Sequence, residues 1–317
     1  MVASLPWVGL KSRIREKVPL GRRTTWRIGG SARWLVEPIN REELAQIWAE
    51  PPGDTPLFLL GGGSNLLIEE RGFSGMAVDL SRHLNRLVQR EEASSPEGVV
   101  VKAEAGARTS ALAHYARRQG LSGVEFLGGI PGTLGGAMRM NAGAHGGDIA
   151  SVLMDAELLD PSGTIHTRTG KQLGLGYRQS ALPKGWLFLS GRFRLKPQSP
   201  ESIREKMQRF NLHRRTTQPL NFASAGSTFK NPATGPAAWQ LIHEAGLRGF
   251  TVGDAQVSEK HTNFLINRGR ATSDEMLSLI EQVRTRVAQN SGVELQLEIA
   301  ILGPDGLRNE GKPGWQT

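Results

Sequence analysis

Three stretches of the chain combine residue types that could do chemistry. Leu57-Phe58-Leu59-Leu60 is a short apolar run that enters Gly61-Gly62-Gly63-Ser64-Asn65-Leu66. Successive small residues let backbone N–H groups converge on an anion, so this reads either as a phosphate-binding nest or as a tight glycine turn. A dinucleotide fingerprint would need glycine where Leu66 stands, and a Walker A loop would need glycine and lysine at Leu66-Leu67. The second stretch is Gly128-Gly129-Ile130-Pro131-Gly132-Thr133-Leu134-Gly135-Gly136-Ala137, followed by Met140-Asn141-Ala142-Gly143-Ala144. Glycine removes the side chains that would keep a flat or charged ligand from the backbone. The competing reading is a flexible linker, and Ile130, Leu134, Met138 and Met140 speak against it. The third is Ala225-Gly226-Ser227-Thr228-Phe229-Lys230-Asn231-Pro232, whose serine could be a nucleophile, a proton donor or a turn residue. Phe229 rules out the Gly-x-Ser-x-Gly elbow. Arg178, Glu298 and His261, each taken alone, read as surface charge or a satisfied histidine. The seven histidines are scattered without a His-x-x-x-His pair, and there is no cysteine, so no metal site is expected.

Composition narrows the partners. At 317 residues the chain can hold two or three domains with their own cores. Without cysteine, disulfides and thiol catalysis are excluded, which is consistent with a cytoplasmic protein. The basic opening residues are not followed by an apolar stretch before Pro19, so no signal peptide is expected. No run of about 18 apolar residues offers a membrane span. A net charge of +9 and a pI of about 10.2 call for an anionic partner. Aromatics are only 6% and no nucleic-acid motif is visible, so phosphorylated small molecules fit better than nucleic acid.

These residues need elements to position them. Trp34-Leu35-Val36 reads as a strand. Asn40 caps a helix carrying Leu44, Ile47 and Trp48 on one face. Leu57–Leu60 reads as a buried strand. Residues 109–119 form a helix ended by Gly120. The segment from Gly123 to Gly147 shows neither period and reads as a long functional loop. Strand-like runs follow at 187–189 and 193–195, then a boundary at residues 197–200. Helices are expected near 202–215, from Pro236 to Gly246, and after a capping box at Thr272 and Glu275. The alternation Val293, Leu295, Leu297, Ile299, Ile301 predicts a half-buried strand. The class is therefore α/β or α+β. The division expected is a lead segment over 1–23, a first region over 24–196 (24–80 and 81–196), a second over 201–303 and a tail over 304–317.

Taken in order, these motifs make the chain resemble the UDP-N-acetylenolpyruvoylglucosamine reductases (MurB) from about Thr24 to Gly303. The carriers are Thr24-Thr25-Trp26-Arg27-Ile28-Gly29-Gly30, the 61–67 and 129–144 glycine segments, Tyr177-Arg178-x-Ser180, the 225–232 stretch and the strand of Glu298. Any one would be weak, and six in order are specific. The resemblance implies a two-subdomain FAD region of the vanillyl-alcohol-oxidase type, a smaller C-terminal substrate-binding α+β domain, and a closing strand returning to the flavin. It implies that NADPH reduces non-covalently held FAD, which then reduces an enolpyruvyl UDP-sugar in peptidoglycan precursor synthesis, in a cytoplasmic monomer. It implies cofactor contacts from Arg27, Gly29, Gly30, Gly61, Gly62, Gly63, Ser64, Asn65, Leu66, Gly129, Ile130, Gly132, Thr133, Gly135, Asn141, Ala142 and Gly143. Catalytic roles fall to Ser227 as proton donor, Arg178 as carboxylate clamp and Glu298 as its neighbour. Substrate contacts fall to Tyr177, Lys230, Asn231 and His261. Two departures stand out. His145 occupies a position where many relatives are aromatic. No tyrosine follows Tyr177 before Leu195, which resembles the subtype lacking a substrate-closing tyrosine loop. Arg214, Arg215 and His261 are the candidates to grip the substrate diphosphate instead. The competing readings are a flavin oxidase of the same fold and a non-catalytic nucleotide- or nucleic-acid-binding protein.

Overall fold

The computed structural model describes residues 10–11, 13–95 and 98–308; the opening nine residues of the expected lead segment and residues 309–317 of the expected tail lie outside them. Four sheets of three or more strands carry the fold. The first runs in the order β1 (Arg13–Pro19), β2 (Ser31–Glu37), β5 (Phe73–Asp79) and β3 (Leu57–Leu60), with β5 parallel to both its neighbours. Residues 13–19, expected to be lead, are thus an edge strand paired antiparallel to β2. Their charges suit an edge, where they discourage further pairing. After β2, α1 (Arg41–Ala49) returns the chain, and the Asn40 side chain accepts from Glu43 N at 2.8 Å, as its sequence signal predicts.

The second sheet is antiparallel, in the order β12 (Ile165–Thr169), β11 (Leu153–Leu159), β13 (Leu187–Pro197), β7 (Gly98–Glu104) and β6 (Leu87–Ser95), with β8 (Leu121–Ser122) on the end of β13. The two runs expected at 187–189 and 193–195 are one strand. Between β7 and β11 lie α2 (Thr109–Arg118), a 3-10 turn at Glu125–Gly129, α3 (Leu134–Arg139) and the hairpin β9 (Gly143–Ala144) and β10 (Gly147–Asp148). The expected loop at 123–147 is therefore structured. Its elements are two to six residues long, too short for either period to show. The helix expected near 202–215 is α4 (Pro200–Thr217), capped by the Ser199 side chain. Its apolar residues Ile203 and Met207, with Phe210 beside them, join the core of this sheet rather than that of the C-terminal elements.

The C-terminal sheet is antiparallel, β14 (Ala223–Ser227), β17 (Phe264–Asn267), β16 (Ala255–Val257) and β15 (Thr251–Val252), packed with α5 (Ala238–Glu244) and α6 (Ser273–Ser291). The capping box at Thr272 and Glu275 is present, and Gly292 ends α6 with φ 69°. The fourth sheet joins the two halves: β18 (Ala300–Gly303) lies parallel to β4 (Leu66–Ile68), with β19 (Gly306–Leu307) on its other side. Successive residues of this pair face different cores. Leu67 and Ile301 enter the C-terminal core, whereas Leu66, Ile68 and Leu302 enter the core of the first sheet.

The strand expected over 293–301 is realised only at β18. Leu295, Ile299 and Ile301 are buried as the alternation requires, but the backbone changes partner along the way. Gln296 O accepts from Lys230 N, Glu298 N donates to Thr228 O, and Ala300 N donates to Asn65 O, at 2.8 to 3.0 Å. A segment that bridges two sheets keeps the burial pattern without a continuous ladder.

Candidate active site

The first glycine segment leaves β3 and enters β4, and the second runs from the 3-10 turn through α3 to β9. They meet backbone to backbone: a Cβ at Gly62 would lie 2.5 Å from Gly132 Cα, and one at Gly132 would lie 2.9 Å from Ser64 Oγ. Ser64 Oγ also donates to Pro131 O at 2.9 Å. Residues 61–66, 129, 130, 132, 133, 142 and 143 line one cleft of about 390 Å³, together with Arg178, Ser227 and Glu298. A second, more apolar cavity of about 370 Å³ adjoins it, sharing Phe58, Gly61, Thr133, Gly136 and Arg139, and is walled by Trp48, Trp186, Leu187 and Gly135. Together they make an elongated groove with glycine backbone at its waist. Such a groove suits a dinucleotide whose rings lie at either end of a diphosphate.

The elements behind the cleft explain the remaining motif. The Thr24–Gly30 segment does not line either cavity. Trp26 is fully buried, its Nε1 donating to Leu265 O at 2.8 Å, while Asn267 Nδ2 donates to Trp26 O. Thr25 N donates to Gly63 O at 3.0 Å, so the segment props the glycine loop from behind. Gly29 and Gly30 are needed for close approach: a Cβ would lie 2.5 Å from Ile68 Cβ and 2.1 Å from Glu70 O respectively. Arg27 is exposed, with φ 60°. Asn141 also stays out of the cleft. It is buried, its Nδ2 reaches Asp148 and Gly176 O, and its Oδ1 accepts from Ala150 N, so it shapes the segment from inside.

Arg178 and Glu298 form the polar centre. Arg178 Nε donates to Glu298 Oε1 at 2.6 Å, and Nη2 donates to Gly143 O at 3.5 Å. Arg178 has φ 55°, a left-handed conformation costing a non-glycine residue about 1–3 kcal/mol, typical of functional positions. Burial pushes the Glu298 carboxyl above its usual range, and the opposing pull of Arg178 and Lys230 does not cancel it. Asn65 Nδ2 donates to Glu298 O at 2.9 Å, tying the glycine loop to this residue. Ser227 ends β14 opposite Phe264, after Gly226 with φ 80°. Asn263 clamps the next residues, its Oδ1 accepting from Phe229 N and its Nδ2 donating to Phe229 O.

Of the substrate candidates, Tyr177 is 53% exposed and its hydroxyl accepts from Asn231 N at 3.4 Å. Asn231 Oδ1 accepts from Ala238 N at the start of α5. Lys230 lies in the field of Glu298, with burial lowering its pKa. His261 is held edge-on to the cleft residue Phe264, centroids 4.8 Å apart, and does not itself line the cleft. Of the diphosphate candidates, Arg214 lines the cleft, and Arg215 and His261 do not. The motifs did not single out Arg139, Gln218 or Phe264, all of which line it. Arg139 is buried enough that its pKa falls. A cation inside a glycine-rich stretch was the available signal for it. Among the described residues, no cluster of three or more metal-ligating side chains occurs, and no helix is long and apolar enough to cross a membrane.

Fold and site define an FAD-binding protein, in which an α/β cofactor region is followed by a smaller α+β domain. A family model described as an FAD binding domain matches residues 32–169, and one described as the C-terminal domain of UDP-N-acetylenolpyruvoylglucosamine reductase matches residues 218–302. The reductase of Magnetococcus marinus is 54% identical over 295 residues, covering 93% of this chain and 94% of that protein. That of Gluconobacter oxydans is 40% identical over 95% of this chain and 96% of that protein. The crystal structure of UDP-N-acetylenolpyruvylglucosamine reductase (MurB) from Thermus caldophilus superposes with a TM-score of 0.77 at 36% identity, covering 92% of this chain and 99% of that one. The chain belongs to the UDP-N-acetylenolpyruvoylglucosamine reductase family.

Proposed function

We propose that this protein reduces UDP-N-acetylglucosamine enolpyruvate to UDP-N-acetylmuramate for peptidoglycan precursor synthesis, using non-covalent FAD and NADPH. The observation that carries the reading is one cleft in which two abutting glycine segments face Ser227 and the Arg178–Glu298 pair. Residues 61–66, 129–133, 142 and 143 would hold FAD, with Gly135 and Arg139 toward the apolar end. Held there, FAD would supply the hydride chemistry, linking oxidation of NADPH to reduction at the terminal methylene carbon of the enolpyruvyl group.

The chain's residues do the rest. Arg178 pairs with the substrate carboxylate through the guanidinium N–H groups not given to Glu298 or Gly143 and neutralises the charge developing beside it. Glu298, held with a raised pKa between Arg178 and Lys230, polarises the enol form. Ser227 gives its proton to the α-carbon. A hydroxyl is a poor acid in water, so this works only against a strongly basic carbon placed beside it. Arg214 and Lys230 supply cationic contacts for the diphosphate and sugar, Tyr177 and Asn231 line the approach, and His261 buttresses Phe264. The two glycine segments, Ser227 and the Arg178–Glu298 pair lie in one chain, so the proposed chemistry needs no second copy and a monomer is the proposed working unit. Soluble nucleotide substrates support a cytoplasmic location.

The test is a visible spectrum of the purified protein with FAD supplied, followed by anaerobic NADPH and then the enolpyruvyl UDP-sugar. A flavin band near ~450 nm should bleach with NADPH and recover with the sugar. Bleaching without recovery would move the substrate elsewhere, and no flavin binding would overturn the reading.

A further inference from the structure

His145 directly follows Asn141-Ala142-Gly143-Ala144 at the end of the second glycine segment. It sits at the tip between β9 and β10, with φ 54°, and lines the cleft at its exposed rim. Its ring stacks on Phe210 of α4, with centroids 4.1 Å apart and planes 6° from parallel. His213, one helical turn on, meets it edge-on at 5.3 Å. The neighbour of His213 is Arg214, whose Cδ would lie 3.4 Å from a Cβ at Gly129. The Arg214 side chain therefore passes over the second glycine segment beside the point where the hairpin touches the helix, and its Nε donates to Gln218 Oε1 at 2.9 Å within the same cleft lining.

We propose that His145 is a positioning residue for the substrate: its ring, stacked on Phe210, clasps the β9–β10 hairpin to α4 and so holds Arg214 over the cleft. This rests on the function proposed above and extends it to how the anionic end of the nucleotide is gripped. A phenylalanine ring at 145 would make the same stack. Histidine adds one property an aromatic lacks, since it can acquire charge.

The charges around the clasp decide what that does. From α4 it faces His213, Arg214 and Lys206, the last with its Nζ 6.0 Å from the Phe210 ring centroid. Lys206 is paired with Glu125 of the 3-10 turn at 3.3 Å. On the hairpin's own side stands Asp148, which is engaged by Asn141 and by Ser151 N. Arg178 reaches Gly143 O, and Arg139 lines the same cleft. The surroundings are thus mostly cationic. Burial and then His213 hold the His145 imidazole below its ordinary value of 6.5, so it is neutral near pH 7. A group with a depressed folded pKa contributes its stabilisation above the unfolded value and loses it as pH falls. Acidification below about 6.5 should therefore open the clasp.

The test compares His145→Ala, His145→Phe and Phe210→Ala, each assayed for turnover and for calorimetric binding of UDP. The stack is worth a factor of about three to ten. His145→Ala and Phe210→Ala should each raise KM and the UDP dissociation constant by that factor, with kcat changing less, and the double variant should be no worse than either. His145→Phe should restore wild-type affinity. Between pH 7.5 and 5.5 KM should rise more in the wild type than in His145→Phe. A phenylalanine variant as weak as alanine, or additive single effects, would overturn the clasp. Failure of the wild type itself to turn over the enolpyruvyl sugar would instead overturn the function on which it rests.

Discussion

Replacing Glu298 with glutamine should separate activity from stability. The side chain is 12% exposed and its partner Arg178 is 24% exposed, at 2.6 Å. Burial raises the folded pKa of Glu298, so its contribution to stability is fully present below the unfolded value and is lost as pH rises through the folded one. Above that folded pKa the charged carboxylate is therefore a liability that glutamine removes. Against this, Arg178 loses its anionic acceptor, a cost of about 1–3 kcal/mol for a buried charged donor and less for one that water reaches. The two effects oppose each other, and the melting temperature should move by no more than about 2–4 °C. Reoxidation of the reduced enzyme by substrate should nevertheless slow by roughly 10²–10³, the usual loss on removing a group aimed at developing charge. Anaerobic stopped-flow and calorimetry on the same preparation would measure both. A rate within about threefold of wild type, or a rate loss matched by a large drop in melting temperature, would refute the assigned role.

Three further outcomes follow from the geometry. Ser227→Ala should leave reduction by NADPH intact and slow substrate turnover by roughly 10²–10⁴, since Ser227 lines the cleft with Arg178 and Glu298 as its assigned proton donor; near-normal turnover would reassign that donor. Gly62→Ala places a Cβ 2.5 Å from Gly132 Cα, so the two loops must part, and FAD affinity should fall by about 10- to 100-fold, read as flavin content after gel filtration; full occupancy would show that the loops can slide. The Glu157 carboxyl is raised by burial but brought down to about 2 by Lys102, Ser190 and Arg41. Its stabilisation is present above its unfolded value near 4.5 and lost as pH falls toward 2. Glu157→Gln should destabilise by about 1–2 kcal/mol at pH 7 after discounting for solvent, in denaturant titrations, with the difference vanishing near pH 2; a pH-independent difference would contradict the pairing.

Legibility in the sequence tracked the length of each element. α1 and α6 could be read because an apolar stripe and a cap coincide over nine or more residues, α2 by its Gly120 stop and α4 by its apolar stripe. The 123–147 segment could not, because its helix is six residues long and half glycine or alanine, stabilised by neighbours rather than by its own period. The glycine runs pointed to the cleft, yet glycine type alone does not distinguish lining a ligand from lining another strand. Gly61 and Gly143 border the cavity, while Gly29 and Gly30 make room for Ile68 and Glu70. Arg178 and Glu298 are 120 residues apart, and nothing local marks them as partners. Only the resemblance joined them before the fold did.

The geometry also explains why the cofactor region and the C-terminal sheet must form together for the site to exist. Glu298 occupies the short crossing where the chain leaves Thr228 and reaches Asn65. Its backbone N is fixed by Thr228, next to Ser227, and its carbonyl by Asn65 of the first glycine loop. Two residues later the chain pairs in parallel with β4, directly after that loop. On the other side, Trp26 docks on Leu265 and Asn267 while its neighbour Thr25 braces Gly63. The glycine loop is thus tied to the C-terminal segment directly at Asn65 and, through Thr25 and the docked Trp26, at Gly63. Opening that interface would displace Glu298 from Arg178 and loosen the loop at once. A hinge between the two regions would then cost both cofactor grip and charge placement, which favours movement at the rim, by α4 and the β9–β10 hairpin, over movement of the domains as a way to admit substrate.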